Sequence, residues 1–159
     1  MSIEIERKFL VKASFKEFSK SNVYIVQAYL SIGPKCSIRV RICGDKAYLT
    51  IKGETSASGL SRYEWERVLT VDEARDLIKL SEFEAIEKTR YFIPQGKHCY
   101  EVDVFEGKNS GLIVAELELE SEDETYEKPS WLGAEVTGDI RYYNANLQIN
   151  SYSEWKDDV

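Results

Sequence analysis

Charged side chains recur two residues apart through much of this chain: Glu4, Glu6 and Lys8; Arg39 and Arg41; Lys52 after Thr50; Arg62, Glu64 and Glu66; Lys88 and Arg90; Glu101 and Asp103; Glu116, Glu118 and Glu120. In an extended strand, residues i and i+2 point to the same face, so each set belongs to one face. The opposite faces are apolar: Ile3, Ile5 and Phe9 (interrupted by Arg7), Ile38, Val40 and Ile42, Ala47, Leu49 and Ile51, Val102 and Val104, and Ala115, Leu117 and Leu119. Solvated outer faces explain most such alternation. They usually mix signs across and along strands, however, whereas bases and acids here sort largely by strand. Neighbouring carboxylates repel unless a cation or water lies between them. Clustered guanidinium and ammonium groups suit a polyanion, with arginine binding phosphate oxygens two at a time. Paired glutamates without His or Cys beside them suit a hard divalent cation held through oxygen, Mg2+ or Mn2+. Together these describe a metal–polyphosphate site on the inner face of a closed sheet.

The elements that must carry these faces are strands. Period-2 alternation predicts eight of them, over residues 2–11, 23–32, 36–43, 46–53, 61–70, 85–93, 98–106 and 112–120. Gly44-Asp45 supplies positive-φ positions for a tight hairpin and Pro94-Gln95-Gly96 a second break, so neighbouring strands run antiparallel. Thr70-Val71-Asp72-Glu73 reads as a capping box opening a short amphipathic helix with Val71, Ala74, Leu77 and Ile78 on its apolar face. Beyond residue 128, Trp131, Leu132, Tyr142, Tyr143, Leu147 and Ile149 are expected to cover the sheet rather than pair with it. Two placements stay open for the final Trp155-Lys156-Asp157-Asp158, loose or plugging a tunnel mouth. The expected fold class is α+β, mainly antiparallel β: an eight-stranded closed tunnel with a charged interior and a few helices packed outside.

A length of 159 residues fits one domain, 1–159, and 43% hydrophobic with 31% charged residues is the balance of a globular chain. Lys and Arg number 21 against 28 Asp and Glu, a net charge of −7, which argues against a specific nucleic-acid partner bound by overall charge. No apolar run approaches the roughly 20 residues of a membrane span, and the opening MSIEIERKFL lacks a secretory signal, so no membrane partner and a cytoplasmic location are expected. Cys36, Cys43 and Cys99 match no zinc spacing and suit a reducing compartment. His98 reads as a surface residue at a turn, Gly107 and Gly111 as loop glycines, Asp139 as a helix N-cap with Arg141 nearby, and Glu120 as a solvated carboxylate at the tunnel mouth.

Glu4-Ile5-Glu6-Arg7-Lys8 forms an ExExK motif. In order behind it come Arg39-Val40-Arg41, Thr50-Ile51-Lys52-Gly53, Arg62-Tyr63-Glu64-Trp65-Glu66, Lys88-Thr89-Arg90, Glu101-Val102-Asp103, Glu116-Leu117-Glu118 and Val136-Thr137-Gly138-Asp139. Over nearly its whole length the chain resembles the CYTH superfamily, the triphosphate tunnel metalloenzymes, and most of all the short bacterial inorganic triphosphatases. That resemblance implies an eight-stranded tunnel and metal-dependent hydrolysis of inorganic triphosphate to diphosphate and phosphate. By it, Lys8, Arg39, Arg41, Lys52, Lys88, Arg90 and Arg62 hold the small-molecule triphosphate, and Glu4, Glu6, Glu116 and Glu118 hold two ions. Glu4 and Glu6 belong to the catalytic set with Lys8 and its partner Tyr29, while Glu64, Glu66, Glu101 and Asp103 orient bases or metal waters. The same superfamily includes adenylyl cyclases and thiamine and RNA triphosphatases. A cyclase would need aromatics to stack adenine, with Tyr29, Tyr48, Trp65 and Phe92 as candidates. A polyphosphate-binding module without turnover, and assembly as a homodimer, are the remaining alternatives.

Overall fold

The structure, a computed structural model, describes residues 2–159. Nine antiparallel strands form one sheet: β1 Ser2–Val11, β2 Ser21–Ile32, β3 Cys36–Cys43, β4 Lys46–Gly53, β5 Ser61–Leu69, β6 Ile86–Gln95, β7 His98–Phe105, β8 Ile113–Leu119 and β9 Leu132–Glu135. The order is β5-β4-β3-β2-β6-β7-β8-β1-β9, and a further β5–β1 pairing closes the first eight into a barrel. Helix α1 (Val71–Ile78) follows β5, and α2 (Asn144–Ile149) and α3 (Tyr152–Trp155) end the chain. None of the described helices is long and apolar enough to cross a membrane.

Closure rests on the length of β1. Its first residues pair with β5 (Glu4 opposite Arg62) while its middle pairs with β8 (Glu6 opposite Glu118, Lys8 opposite Glu116). The β3–β4 hairpin turns at Gly44-Asp45, where only Gly44 has positive φ (62°); this is the pattern of a II′ rather than a I′ turn. Pro94 departs from expectation. It lies inside β6, opposite Cys99 of β7, and the turn falls on Gly96-Lys97. The ring is tolerated because β2 ends its pairing at Ser21–Phe92, so no third strand asks Pro94 for an N–H.

The apolar faces of the strands point out of the barrel and are covered there. Phe9, Tyr100, Val102, Ala115, Leu117 and Leu119 pack with Phe15 and Trp131 from flanking loops. Helix α1, opened by the expected capping box (Glu73 N to Thr70 Oγ1, 3.1 Å; Thr70 N to Glu73 Oε1, 2.9 Å), seats Ala74 on Val40 and Ala47. The eight expected strands close the barrel, but the chain beyond residue 128 does more than cover it and adds a ninth strand by pairing, which corrects the expected role of the tail. β9 pairs with β1 across a bulge between Phe9 and Val11. Gly133 makes that approach possible, since a Cβ there would stand 2.8 Å from the Leu10 carbonyl oxygen. The same glycine breaks the apolar alternation by which a strand is recognised.

Candidate active site

Inside the barrel the sorted charges meet around a cavity of about 200 Å³. Its wall is formed by Glu4, Glu6, Lys8, Tyr29, Arg39, Arg41, Lys52, Arg62, Glu64, Glu66, Lys88, Arg90, Glu101, Glu116 and Glu118, joined by Tyr143, Asn144 and Ala145. Of the residues assigned from sequence to catalysis, triphosphate, metal or their orientation, Asp103 alone does not line it. Asp103 lies behind the wall, fully buried, accepting from Lys88 Nζ at 2.7 Å and from Arg90 Nε and Nη2 at 2.8 and 3.0 Å. Glu120, Tyr48, Trp65 and Phe92 are likewise not among the lining residues.

The cations differ in how firmly they are held. Lys52 donates to Glu4 at 2.9 and 3.0 Å and lies 3.5 Å from Glu64. Arg90 also donates to Glu101 at 2.7 Å and sits 3.7 Å from Glu116. Arg39 donates to Thr50 at 3.2 Å, and Thr50 donates in turn to Glu66 at 2.8 Å. Arg41 has no carboxylate partner within ion-pair distance among the described residues. Its Nε and that of Arg39 are buried without a hydrogen bond, and burial, Arg39 and Arg90 push its pKa down. Unmatched guanidinium groups facing a cavity call for an anion.

Titration of the buried groups follows the same crowding. Burial, offset in part by Asp103, lowers the Lys88 pKa to about 8. Burial also opposes the charges on Lys8 and Glu116, but the carboxylates Glu116 and Glu6 raise Lys8, while Lys8, Arg90 and Lys88 hold Glu116 well below its usual value. Burial and Glu116 push Glu6 well above the ordinary range, and burial raises Glu4 and Glu118. Burial thus favours the protonated form of Glu4, Glu6 and Glu118, whereas the surrounding cations favour the ionised form of Glu116.

Among the described residues no three carboxylate, thiol or imidazole side chains converge as a ready-made cation cage. The donor chemistry still suits a hard divalent ion. Glu6 and Glu118 face each other on β1 and β8, Glu101 and Glu116 on β7 and β8, and oxygen is the only ligand atom these side chains offer.

One end of the cavity is closed by a segment that sequence reasoning did not place there. Asn144, at the start of α2, accepts from Lys88 Nζ at 3.0 Å and Gln27 Nε2 at 2.9 Å. Gln148, one turn later, accepts from the Tyr29 amide at 2.8 Å and donates to Ser81 Oγ at 2.8 Å and the Phe83 carbonyl at 3.1 Å. The stopper is therefore Tyr143 to Gln148. Trp155, offered from sequence as a plug, instead packs edge-on against Tyr142 and Tyr152 in a separate apolar cluster. The available signal was Asn144 and Gln148 spaced i, i+4 on the same helix as apolar Leu147. Tyr29 lines the cavity, but no hydrogen bond joins its hydroxyl to Lys8 among the described residues; the ring lying over the Lys8 ammonium, at 5.1 Å, is that of Tyr143. Outside the cavity, His98 is bonded to Glu124, and Asp139 caps the 3-10 turn Ile140–Tyr142 while pairing with Arg141 at 2.6 Å.

A closed antiparallel barrel with carboxylates and cations turned inward defines a class, and the CYTH domain profile matches residues 2–152; the chain belongs to that family. It is 43% identical over 159 residues to the inorganic triphosphatase of Acetivibrio thermocellus, covering 99% of this chain and all of the relative. It is 40% identical over 153 residues to that of Nitrosomonas europaea, covering 92% and 97% of the two chains. A crystal structure of an inorganic triphosphatase superposes with a TM-score of 0.67 at 36% identity over 92% of this chain and 97% of that one.

Proposed function

We propose that this protein hydrolyses inorganic triphosphate to diphosphate and phosphate inside the charged cavity with the help of a divalent cation. The observation that carries the reading is the Arg41 guanidinium, which faces the cavity with no carboxylate at ion-pair distance among the described residues, together with the Nε groups of Arg41 and Arg39, buried without a partner on the cavity side of β3. Lys8, Lys52, Arg62, Lys88 and Arg90 complete a ring of cations for phosphate oxygens. The relatives named inorganic triphosphatase across nearly the whole length support the same substrate.

Phosphoryl transfer asks the protein chiefly for positioning and for stabilisation of charge on the transferring group. Asp103, Glu101 and Glu66 serve that need by fixing Arg90, Lys88 and Arg39 before substrate enters. Glu4, Glu6, Glu116 and Glu118 would hold Mg2+ or Mn2+, one ion at Glu116 and Glu118 and a second near Glu4 and Glu6. A bound ion would neutralise phosphate oxygens and acidify a water for attack on the terminal phosphorus. Lys8 sits beside Glu6, at 3.9 Å, where it offsets charge building up at that end. Tyr29, on the same wall, is its expected catalytic partner.

The aromatic side chains on the cavity wall are Tyr29 and Tyr143, so the stacking surface a cyclase needs for adenine is small. Purified protein incubated with triphosphate and Mg2+ or Mn2+ should release phosphate, and with ATP should yield no cyclic AMP. Cyclic AMP without phosphate release would establish the cyclase instead. Tight triphosphate binding by calorimetry with no product under either metal would establish a binding module.

A further inference from the structure

Among the cavity cations Lys52, Lys88 and Arg90 are pinned by carboxylates at hydrogen-bond distance, whereas Lys8 and Arg62 are not. The shortest carboxylate approach is 3.9 Å for each, from Glu6 to Lys8 Nζ and from Glu4 to Arg62 Nε. Neither side chain makes a hydrogen bond among the described residues. Both sit against one aromatic ring: Lys8 Nζ lies 5.1 Å and Arg62 Cζ 5.9 Å from the centroid of Tyr143.

The main chain that carries the ring is fixed from both sides. Tyr143 N donates to the Ile140 carbonyl at 3.1 Å, ending the preceding 3-10 turn, and its own carbonyl accepts from Leu147 N at 2.9 Å, opening α2. Beside the main cavity the same ring lines a smaller one of about 30 Å³, shared with Glu4, Glu6, Lys8, Arg62 and Thr137. That volume holds about one water among polar groups. A cation over an aromatic face is held electrostatically, and the attraction strengthens where water is excluded. The phenol hydroxyl makes no hydrogen bond among the described residues, so the ring face, and not the hydroxyl, is the contact.

We propose that Tyr143 is a positioning residue for the triphosphatase reaction, its ring holding the Lys8 ammonium and the Arg62 guanidinium side by side at the end of the cavity closed by α2. The assignment rests on the triphosphatase reading. Without the ring, two flexible side chains at the Glu4–Glu6 end lose the aromatic face they share.

The test compares Tyr143→Phe with Tyr143→Leu. The phenylalanine variant keeps the face and should retain kcat and KM. The leucine variant fills similar space without a π face; its kcat should fall about thirtyfold, the size of a desolvated cation–π contact. Its KM should move far less, because Arg39, Arg41, Lys88 and Arg90 still bind phosphate. An unchanged kcat in Tyr143→Leu, or an equal loss in Tyr143→Phe, overturns the assignment. An independent reading that needs no leucine variant is the proton NMR shift of the Lys8 ε-methylene. It should be displaced upfield by the ring in both wild type and Tyr143→Phe, and an ordinary lysine shift in wild type overturns the proposal. Absence of phosphate release by the wild type overturns the triphosphatase reading and this role with it, whereas an active wild type matched by Tyr143→Leu overturns the Tyr143 role alone.

Discussion

Asp103 grips Arg90 at two points, Oδ1 to Nε at 2.8 Å and Oδ2 to Nη2 at 3.0 Å, from a position on β7 with no solvent exposure. The same carboxylate takes Lys88 at 2.7 Å. One buried acid behind the wall thereby sets two cations that face into the cavity. Two-point pairing fixes the plane of the guanidinium as well as its place.

Replacing Asp103 by Asn keeps the shape but removes the charge that Arg90 and Lys88 share. Breaking a buried ion pair on one side costs roughly 3–5 kcal/mol, so the urea midpoint should fall well below that of the parent. KM for triphosphate should rise as Arg90 loses its orientation. A variant with both parental stability and parental KM would show that the pair orients nothing.

Lys88 should give the proposed reaction an alkaline limit. Its pKa in the fold is lowered to about 8, so on the proposed reaction it would meet phosphate as a cation below that pH and lose the charge above it. kcat/KM should therefore decline through pH 8, and Lys88→Arg, which stays charged, should move the decline upward. The stability sign runs the other way: between about pH 8 and the ordinary lysine range the unfolded chain binds more protons than the folded one, so the buried-charge penalty, complete below pH 8, is relieved as pH rises. A kcat/KM profile flat through pH 9 would exclude Lys88 as the titrating group.

Glu4→Gln removes one proposed oxygen ligand and one partner of Lys52. Loss of a transition-state contact of this kind lowers kcat by roughly 10²–10³-fold. Calorimetric titration with Mn2+ should show weakened binding in the same variant, and chelation of the wild type should abolish turnover. Parental kcat and Mn2+ affinity in a folded Glu4→Gln protein would remove Glu4 from the metal set.

Gln148 joins the stopper to the barrel through the Tyr29 amide. Gln148→Leu leaves that buried N–H without a partner, a penalty of about 1–3 kcal/mol. The thermal midpoint should drop accordingly, with faster hydrogen exchange at Tyr29; unchanged exchange there would mean another acceptor replaces Gln148.

Thr70→Ala serves as a control far from the cavity. It removes the capping box of α1 and should cost about 1 kcal/mol with kcat and KM unaltered. A change in kcat would mean that α1 reaches the site through β3 and β4.

The charged faces were legible because strand geometry ties side-chain direction to sequence spacing: Glu4, Glu6 and Lys8 must share a face whichever neighbours they meet. The apolar complement, Val40 and Ala47 under α1 or Leu117 under Trp131, follows from the same rule. β9 escaped because Gly133 trades its side chain for contact with the Leu10 carbonyl, erasing the pattern that identifies a strand. Asn144 and Gln148 escaped because they act from a six-residue helix whose partners, Lys88, Gln27 and the Tyr29 amide, lie more than fifty residues away.

By itself the sequence determined which residues face together, the sign of the charge on each strand, and where α1 begins, since these depend on local periodicity and capping. Only the tertiary structure decided that β5 closes onto β1, that Asp103 stands behind the wall while Arg41 faces the cavity unpaired, and that α2 seals one end. Those outcomes depend on strand register and on contacts across the barrel, and spacing along the chain carries no information about which distant groups will meet.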